Sequence, residues 1–259
     1  MSLANKTFSI FKRDLVLLFT NLLTGIVVAR ALGPASLGIW TVLALVLAYS
    51  EAFGRTKADL AAVYFLGKKM HHHGDLLFNL NVIAWCSSGL IIALALWQFD
   101  LIYEWLFKNA VGNYRLELQA LLLQIPMQFL LLNYTYFHIA EENVIIYNRI
   151  ILIKACVNSV CSLLLLVCTS LGLWSVIFAT LFGTGSALLY GWSAVDRNSC
   201  VRGRLNLPMC LAMLRYGASF ILAISLVSYS RPAPSCWPCI IFCQPPWDCW
   251  LKVKLWEDC

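Results

Sequence analysis

The sequence predicts an all-α integral membrane protein, with a six-transmembrane-helix bundle, the start of a seventh helix and an irregular C-terminal tail. Hydrophobic residues make up 61% of the 259 residues and charged residues only 12%, whereas soluble domains carry about 25% charged residues. The mean hydropathy is correspondingly high, at +0.76. Charged residues are also grouped, and the apolar stretches between the groups approach the roughly 20 residues that a helix needs to cross a bilayer.

Six apolar windows define the predicted spans. The first ends at Arg30, and Gly33-Pro34 provides the turn before the second. The 41 residues from Ala155 to Val195 carry no charge, and a turn at 169–172 is expected to divide them because they are about twice one crossing. The predicted spans are residues 12–32, 36–54, 76–98, 117–139, 148–170 and 173–194, followed by a basic cytoplasmic loop at 196–215, a partial seventh helix at 216–230 and the tail at 231–259.

The distribution of lysine and arginine predicts the orientation of these spans. With the N-terminus in the cytoplasm, most basic residues fall in inside segments, as the positive-inside rule requires. The inside segments hold Lys6, Lys12, Arg13, Arg55, Lys57, Lys68, Lys69, Arg149, Arg197, Arg202, Arg204 and Arg215, and the outside segments hold Arg30, Lys108 and Arg115. Because these residues form short groups rather than one amphipathic face, we expect membrane lipids and no nucleic acid as partners.

Residues 231–259 differ in composition from the rest of the chain. They hold five of the eight prolines and five of the 11 cysteines, and such frequent proline interrupts any helix. We hypothesise that this tail is the product of a shifted reading frame. Resequencing of the DNA would refute this hypothesis if it found the same frame intact. Cys236 and Cys239 match a redox or zinc spacing, which we interpret as a chance product of the tail.

The residue types that could support enzyme or metal chemistry are not arranged for it. Three adjacent histidines, at 71–73, point apart by about 100° each on a helix and cannot converge on a metal, so a solvated cytoplasmic loop is the expected structure. Asp100, Glu104 and Glu117 lie in a short outer segment with basic counter-ions, where a solvated loop is also expected. We therefore predict no catalytic residue, no metal site and no cofactor.

Polar residues inside the spans are more informative, because each is costly unless it faces another helix or a watery cavity. Gln124, Gln128, Thr135 and His138 share one face of the fourth predicted helix. Lys154 and Asn158 are placed in the same way on the fifth helix, and Asn21 and Thr24 on the first. Interhelical hydrogen bonding explains these faces as well as a substrate path does.

Two sets of charged residues at helix ends have simple interpretations. Arg30 is nine residues from Asn21 and so lies on the opposite side of a regular helix, which favours an arginine that reaches the outer interface. Only local unwinding toward Gly33 would turn Arg30 inward. Arg55 is four residues from both Glu51 and Asp59 and can pair with either, as at a charge-balanced helix end.

The stretch "TGIVVARALGPASLGIWTVL" resembles the first two helices of prokaryotic polysaccharide and O-antigen flippases, within the multidrug, oligosaccharidyl-lipid and polysaccharide exporter superfamily. Arg30, Leu32, Gly33, Pro34 and Gly38 fit the pattern Ala-Arg-x-Leu-Gly-Pro-x-x-x-Gly, in which the breaker makes the turn and the second glycine admits close packing. Further likeness lies in "AAVYFLGKK", "LGLWSVIFATLFGTGSALLYGW" and "LRYGASF", so that it covers about residues 8–229. Such flippases usually have two six-helix lobes, and the resemblance covers the first.

The resemblance implies a multi-pass protein of the bacterial inner membrane that moves an undecaprenyl-diphosphate-linked oligosaccharide from the cytoplasmic to the outer leaflet. The cavity candidates are Arg30, Asn21, Gln124, Gln128, Lys154 and Asn158, with Gly33, Pro34 and Gly38 as structural turn residues. A C-terminal lobe that is missing or separately encoded is an expected partner. The alternatives are a cation-coupled drug exporter of the same superfamily, an integral membrane glycosyltransferase or polymerase, and a non-functional remnant.

Overall fold

A computed structural model describes residues 3–54, 56–67, 73–108, 112–169, 171–195 and 203–230. The Pro- and Cys-rich tail with Cys236 and Cys239, the two histidines at 71 and 72, and Arg55 lie outside the described residues, as do the predictions made for them. The chain divides into two compact units, Met1–Ala218 and Ser219–Cys259. The described part of the second unit is the end of a helix, and the features below belong to the first unit.

The described residues form nine helices and no strand, which confirms the expected all-α class. Their bounds are α1 Leu3–Gly54, α2 Ala58–Gly67, α3 His73–Trp97, α4 Phe99–Phe107, α5 Arg115–Leu122, α6 Gln124–Ala140, α7 Val144–Cys168, α8 Leu173–Ser193 and α9 Leu207–Ser230. Five stretches are long and apolar enough to cross a membrane: Thr7–Ala52, His73–Trp97, Arg115–Ala140, Val144–Cys168 and Leu173–Ser193. The chain is therefore a multi-pass membrane protein.

Helix α1 is interrupted at the predicted Gly33-Pro34 turn. Gly33 has φ 71° and ψ 172°, a combination that is essentially restricted to glycine. Pro34 follows at the start of the next helical segment, where the N–H group that proline lacks would have no acceptor within the helix. The break divides α1 into a first arm, residues 3–32, and a second arm, residues 34–54. Gly38 does not provide the close packing that the resemblance implies, because a Cβ atom there would meet no atom of the described residues within 4 Å.

The first arm of α1 runs parallel to α7. Arg13 Nη1 donates to Asn148 Oδ1 over 2.9 Å, and eleven residues further along both helices Thr24 Oγ1 donates to Ser159 Oγ over 2.6 Å. The register is thus constant over about 16 Å. We call the two ends of the bundle the Arg13 end and the Gly33 end.

The second arm runs back toward the Arg13 end. At the Gly33 end Leu43 is completely buried in a cluster with Leu118, Leu121, Leu173 and Ile177. Further along the arm, Gly54 lies against Ile91 and Phe129. The second arm thereby returns from the break alongside α3 and α6.

Several short elements differ from the expected boundaries. The predicted span 117–139 is divided into α5 and α6 at Leu123, because Pro126 lacks the N–H group that would bond to the Leu122 carbonyl. The outer segment expected as a solvated loop instead forms α4 and the start of α5, because Phe99, Tyr103 and Phe107 recur every four residues along α4 and pack into the cluster around Leu43. Arg115 nevertheless pairs with Asp100 over 3.0 Å, as expected of a counter-ion.

Helix α9 begins at Leu207, well before the expected residue 216. Asn206 accounts for the early start, because its Oδ1 accepts a hydrogen bond from the Met209 N–H group over 3.2 Å and so caps the helix. The preceding residues 203–206 are held by the buried Asn79 of α3, whose side chain donates to the Arg204 carbonyl and accepts from the Asn206 N–H. The end of the expected basic loop is therefore ordered against α3.

Candidate functional site

A polar cluster inside the helical bundle joins three helices through charged and amide groups. Lys154 Nζ of α7 donates to Gln128 Oε1 of α6 over 3.0 Å, and Gln128 Nε2 donates to Glu51 Oε2 of α1 over 3.4 Å. We call Glu51, Gln128 and Lys154 the relay. It places a basic and an acidic side chain on either side of one neutral amide.

The chemistry of the two charged groups determines how Gln128 is oriented. An ammonium group can only donate hydrogen bonds and an ionised carboxylate can only accept them, so the amide oxygen must face Lys154 and the amide nitrogen must face Glu51. Hydrogen bonds to charged groups contribute about 1.5–3 kcal/mol each, more than those between neutral groups. Gln128 therefore couples the positions of α1, α6 and α7 within the bundle.

A second polar layer lies one helical turn away, between α6 and α8. Gln124 is 4% exposed; its Nε2 donates to Thr184 Oγ1 over 3.3 Å and its Oε1 accepts from Thr180 Oγ1 over 3.2 Å. Thr184 is completely buried. Gln124 and Gln128 are four residues apart and so lie on the same face of α6.

Asn158 lies one turn along α7 from Lys154, at a point where α7 and α8 pack closely. A Cβ atom at Gly183 of α8 would stand 2.9 Å from both the Lys154 carbonyl oxygen and Asn158 Cβ. The absence of a side chain at Gly183 is therefore what allows the two backbones to approach. Asn158 Oδ1 is buried and has no hydrogen-bond partner among the described residues, which leaves one acceptor unsatisfied beside the relay.

The structure thus brings together four of the six cavity candidates, namely Gln124, Gln128, Lys154 and Asn158. The other two lie elsewhere: Asn21 is exposed on the first arm of α1, and Arg30 is exposed near the Gly33 end. Thr24, the other residue of that predicted polar face, donates to Ser159 of α7, whereas Asn21 is exposed. The position of Arg30 agrees with an arginine that reaches an interface.

The remaining members of the predicted polar face of α6 have structural partners. Thr135 donates to the carbonyl oxygen of Leu131 in its own helix, over 2.7 Å. The fully buried His138 has Nε2 3.4 Å from the Gly191 carbonyl oxygen and Nδ1 3.5 Å from Glu141 Oε2. His73, the last histidine of the triplet, begins α3 rather than lying in the expected loop. Its Nδ1 lies 3.3 Å from the other carboxylate oxygen of Glu141.

Sequence reasoning missed Glu51, Thr180 and Thr184. Glu51 was assigned to a charge-balanced helix end, and only the return of the second arm places it against α6. The two threonines are four residues apart in a mostly apolar helix, and this spacing could have identified them as one polar face of α8. No group of three or more His, Cys, Asp or Glu side chains in the described part of the chain is placed to hold a metal ion.

The fold and the site together define a polytopic helical membrane protein with ionisable groups inside its bundle. Ionisable side chains at such positions are rare and are the usual mark of a substrate or ion path. Comparisons with protein-family models, with curated proteins and with solved structures find no match for this chain.

Proposed function

We propose that this chain is one lobe of a flippase that moves an undecaprenyl-diphosphate-linked oligosaccharide across the bacterial inner membrane. The observation that carries the proposal is the relay, because Lys154 places a cation inside the bundle where a diphosphate group could bind. The resemblance of residues 8–229 to polysaccharide flippases supplies the substrate class. In this proposal each arm of α1 crosses once, which gives six crossings, and the positive-inside rule assigns the Arg13 end to the cytoplasm.

The relay gives Lys154 a partner that a substrate can replace. A lysine ammonium binds phosphate as a point charge, and a diphosphate carries more negative charge than the neutral amide oxygen of Gln128. Substrate binding would therefore draw Lys154 away from Gln128 and loosen the link between α7 and α1. Such a change of contacts is what alternating access requires when one bundle rocks against another.

Binding of the lipid pyrophosphate by the purified chain tests this role. The chain would be reconstituted in nanodiscs, and its affinity for undecaprenyl diphosphate compared with that for undecaprenol, which lacks the phosphates. We expect the diphosphate to bind at least about tenfold more tightly, and Lys154→Gln to remove that preference. The matched control is Lys12→Gln, because Lys12 is an exposed lysine of the first arm that stacks on Phe8. Equal affinity for the two lipids, or an unchanged preference in Lys154→Gln, would contradict the proposal.

Translocation itself is expected to need a second lobe, since alternating access works at the interface between two bundles. We therefore expect the 259-residue chain alone not to restore surface polysaccharide in cells that lack their own flippase. Restoration by this chain would refute that expectation.

A cation-coupled exporter is a second candidate, favoured by the position of Glu51. An acid inside the bundle is what proton or sodium coupling requires, and Glu51 contacts the relay there. For this function, protons or sodium would compete with a cationic dye for binding to the purified chain, and Glu51→Gln would abolish that competition. Dye binding by the wild-type chain that neither cation affects would exclude this candidate.

A further inference from the structure

We propose that Asn158 is a positioning residue for Lys154, whose ammonium group moves from Gln128 to the Asn158 carbonyl oxygen when a ligand binds. The structure shows the lysine on its first acceptor, with Nζ 3.0 Å from Gln128 Oε1. This role rests on the proposed function, because Asn158 would hold the ammonium in place while it binds a diphosphate. Whether Asn158 is a second acceptor at all is a separate question, which needs no ligand to answer.

The acceptor group of Asn158 is buried and unused. Asn158 Oδ1 accepts no hydrogen bond from any described residue. A buried acceptor without a donor is costly, and native proteins leave few of them unpaired. The oxygen therefore requires a donor that reaches it in another state of the bundle.

Lys154 is the donor within reach of that oxygen. Side chains four residues apart on a helix have Cβ atoms about 5–6 Å apart, and the flexible four-carbon stem of lysine can span this separation. An ammonium group has three N–H donors, and among the described residues Lys154 uses one of them, on Gln128. Because Asn158 Oδ1 is buried, a donor on the same helix can approach it more easily than a ligand from outside.

The contact between α7 and α8 keeps Asn158 in one place. A Cβ atom at Gly183 would lie 2.9 Å from Asn158 Cβ and 3.1 Å from the Asn158 nitrogen, so the base of this side chain packs directly against α8. Asparagine has two side-chain torsions and lysine has four. The lysine is therefore the partner that moves, and the asparagine is the fixed one.

The two acceptors give the ammonium group two different roles. On Gln128, Lys154 connects α7 to α6 and, through the amide, to Glu51 of α1. On Asn158 the lysine would be held within α7 alone, with two N–H groups left for phosphate oxygens. Asn158 thus replaces the hydrogen bond that Lys154 loses when the relay opens, and it fixes the direction in which the ammonium points.

Thermal unfolding in detergent tests the second acceptor without a ligand. Asn158→Leu removes an unpaired acceptor and keeps a similar shape, so we expect its Tm to equal or exceed that of the wild type. In a Gln128→Leu background Lys154 has lost its first acceptor, and there the same Asn158→Leu change should lower Tm by about 2–4 °C. Equal Tm values for Gln128→Leu with and without Asn158→Leu would overturn the inference.

Ser162→Ala is the matched control for this comparison. Ser162 Oγ is also buried and has no hydrogen-bond partner among the described residues, but Ser162 is eight residues from Lys154, about 12 Å along the helix. Lys154 cannot reach it, so Ser162→Ala should not lower Tm further in the Gln128→Leu background. A fall equal to that of Asn158→Leu would show a general loss of packing on α7 and would also overturn the inference.

Lipid binding in nanodiscs tests the positioning role itself. We expect Asn158→Leu to weaken the binding of undecaprenyl diphosphate about tenfold and to leave that of undecaprenol, which lacks the phosphates, unchanged. Because Asn158 acts through Lys154, the substitution should have no effect on either lipid in a Lys154→Gln background. A loss that persists there would show direct contact with the lipid or damage to packing, and would overturn the positioning role.

The two experiments separate this role from the proposed function. Equal affinity of the wild-type chain for the two lipids would contradict the proposed function and with it the positioning role, whereas the Tm comparison still decides whether Asn158 is the second acceptor. A diphosphate preference that survives in Asn158→Leu would overturn the positioning role alone. The binding experiment uses no Gln128 variant, so it is decisive even if Gln128→Leu fails to fold.

Discussion

Replacement of Gly183 by alanine tests the close packing of α7 and α8 beside the relay. The new Cβ atom would lie 2.9 Å from the Lys154 carbonyl oxygen and 3.1 Å from the Asn158 nitrogen, both atoms of the α7 backbone. Favourable carbon contacts need about 3.5–4.0 Å, and a backbone cannot move away as the end of a side chain can. The two helices must therefore separate in the Gly183→Ala variant.

The expected magnitude follows from two opposing effects. Overpacking of a well-packed contact costs about 1–3 kcal/mol, and replacing glycine by alanine inside a helix regains about 0.5–1 kcal/mol. We expect a net loss of about 1 kcal/mol in the free energy of unfolding, which corresponds to a fall in Tm of about 2–4 °C for a domain of this size. Because Lys154 and Asn158 are displaced, binding of undecaprenyl diphosphate should weaken as well.

Thermal unfolding of the protein in detergent, followed by the loss of monodisperse protein on gel filtration, measures the effect. The matched control is Gly185→Ala, two residues further along α8, where the Cβ atom would meet only Met127 Cε at 3.2 Å. That methyl group is the end of a flexible side chain and can move, so Gly185→Ala should be as stable as the wild type or slightly more stable. If Gly183→Ala matched Gly185→Ala in Tm, the assignment of close helix packing at this point would be wrong.

Three further outcomes are expected. Gly33→Ala should destabilise the fold by about 1–3 kcal/mol, because alanine does not tolerate the backbone conformation at the break, whereas Gly38→Ala should not; similar Tm values for the two variants would contradict the break. Thr24→Ala and Ser159→Ala should show a coupling of about 0.6 kcal/mol in a double-mutant cycle, and additive effects would argue against their hydrogen bond. Lys108→Cys in a cysteine-free background should react with an impermeant thiol reagent only from outside intact cells, and labelling only in inverted vesicles would reverse the proposed orientation.

Local features were predictable from the sequence because they depend on neighbouring residues. The break at Gly33-Pro34 needs only a residue that adopts positive φ and a residue that lacks an N–H group. The turn between α7 and α8 follows in the same way from the length of the uncharged stretch and from Gly172, which has φ 56°. The shared face of Gln124 and Gln128 is a consequence of helical periodicity.

Features that depend on distant segments were not predictable in the same way. Glu51 and Lys154 are more than a hundred residues apart in the sequence. Nothing local indicates that the Gln128 amide would bridge them. The early start of α9 depends on Asn206, but its anchoring depends on Asn79, more than a hundred residues earlier. Asn21 satisfied the periodicity of a polar face and still lies outside the bundle, because periodicity does not say which face meets a neighbour.

The sequence by itself determined that this chain forms apolar helices that suit a membrane, and it determined the break at Gly33-Pro34 and the turn between α7 and α8. These properties follow from hydropathy and backbone chemistry, which act within a few residues. Only the tertiary structure decided which polar side chains meet and how α1 returns to bring Glu51 to Gln128. Those contacts arise from packing between helices, and packing depends on the shapes of surfaces that are far apart in the chain.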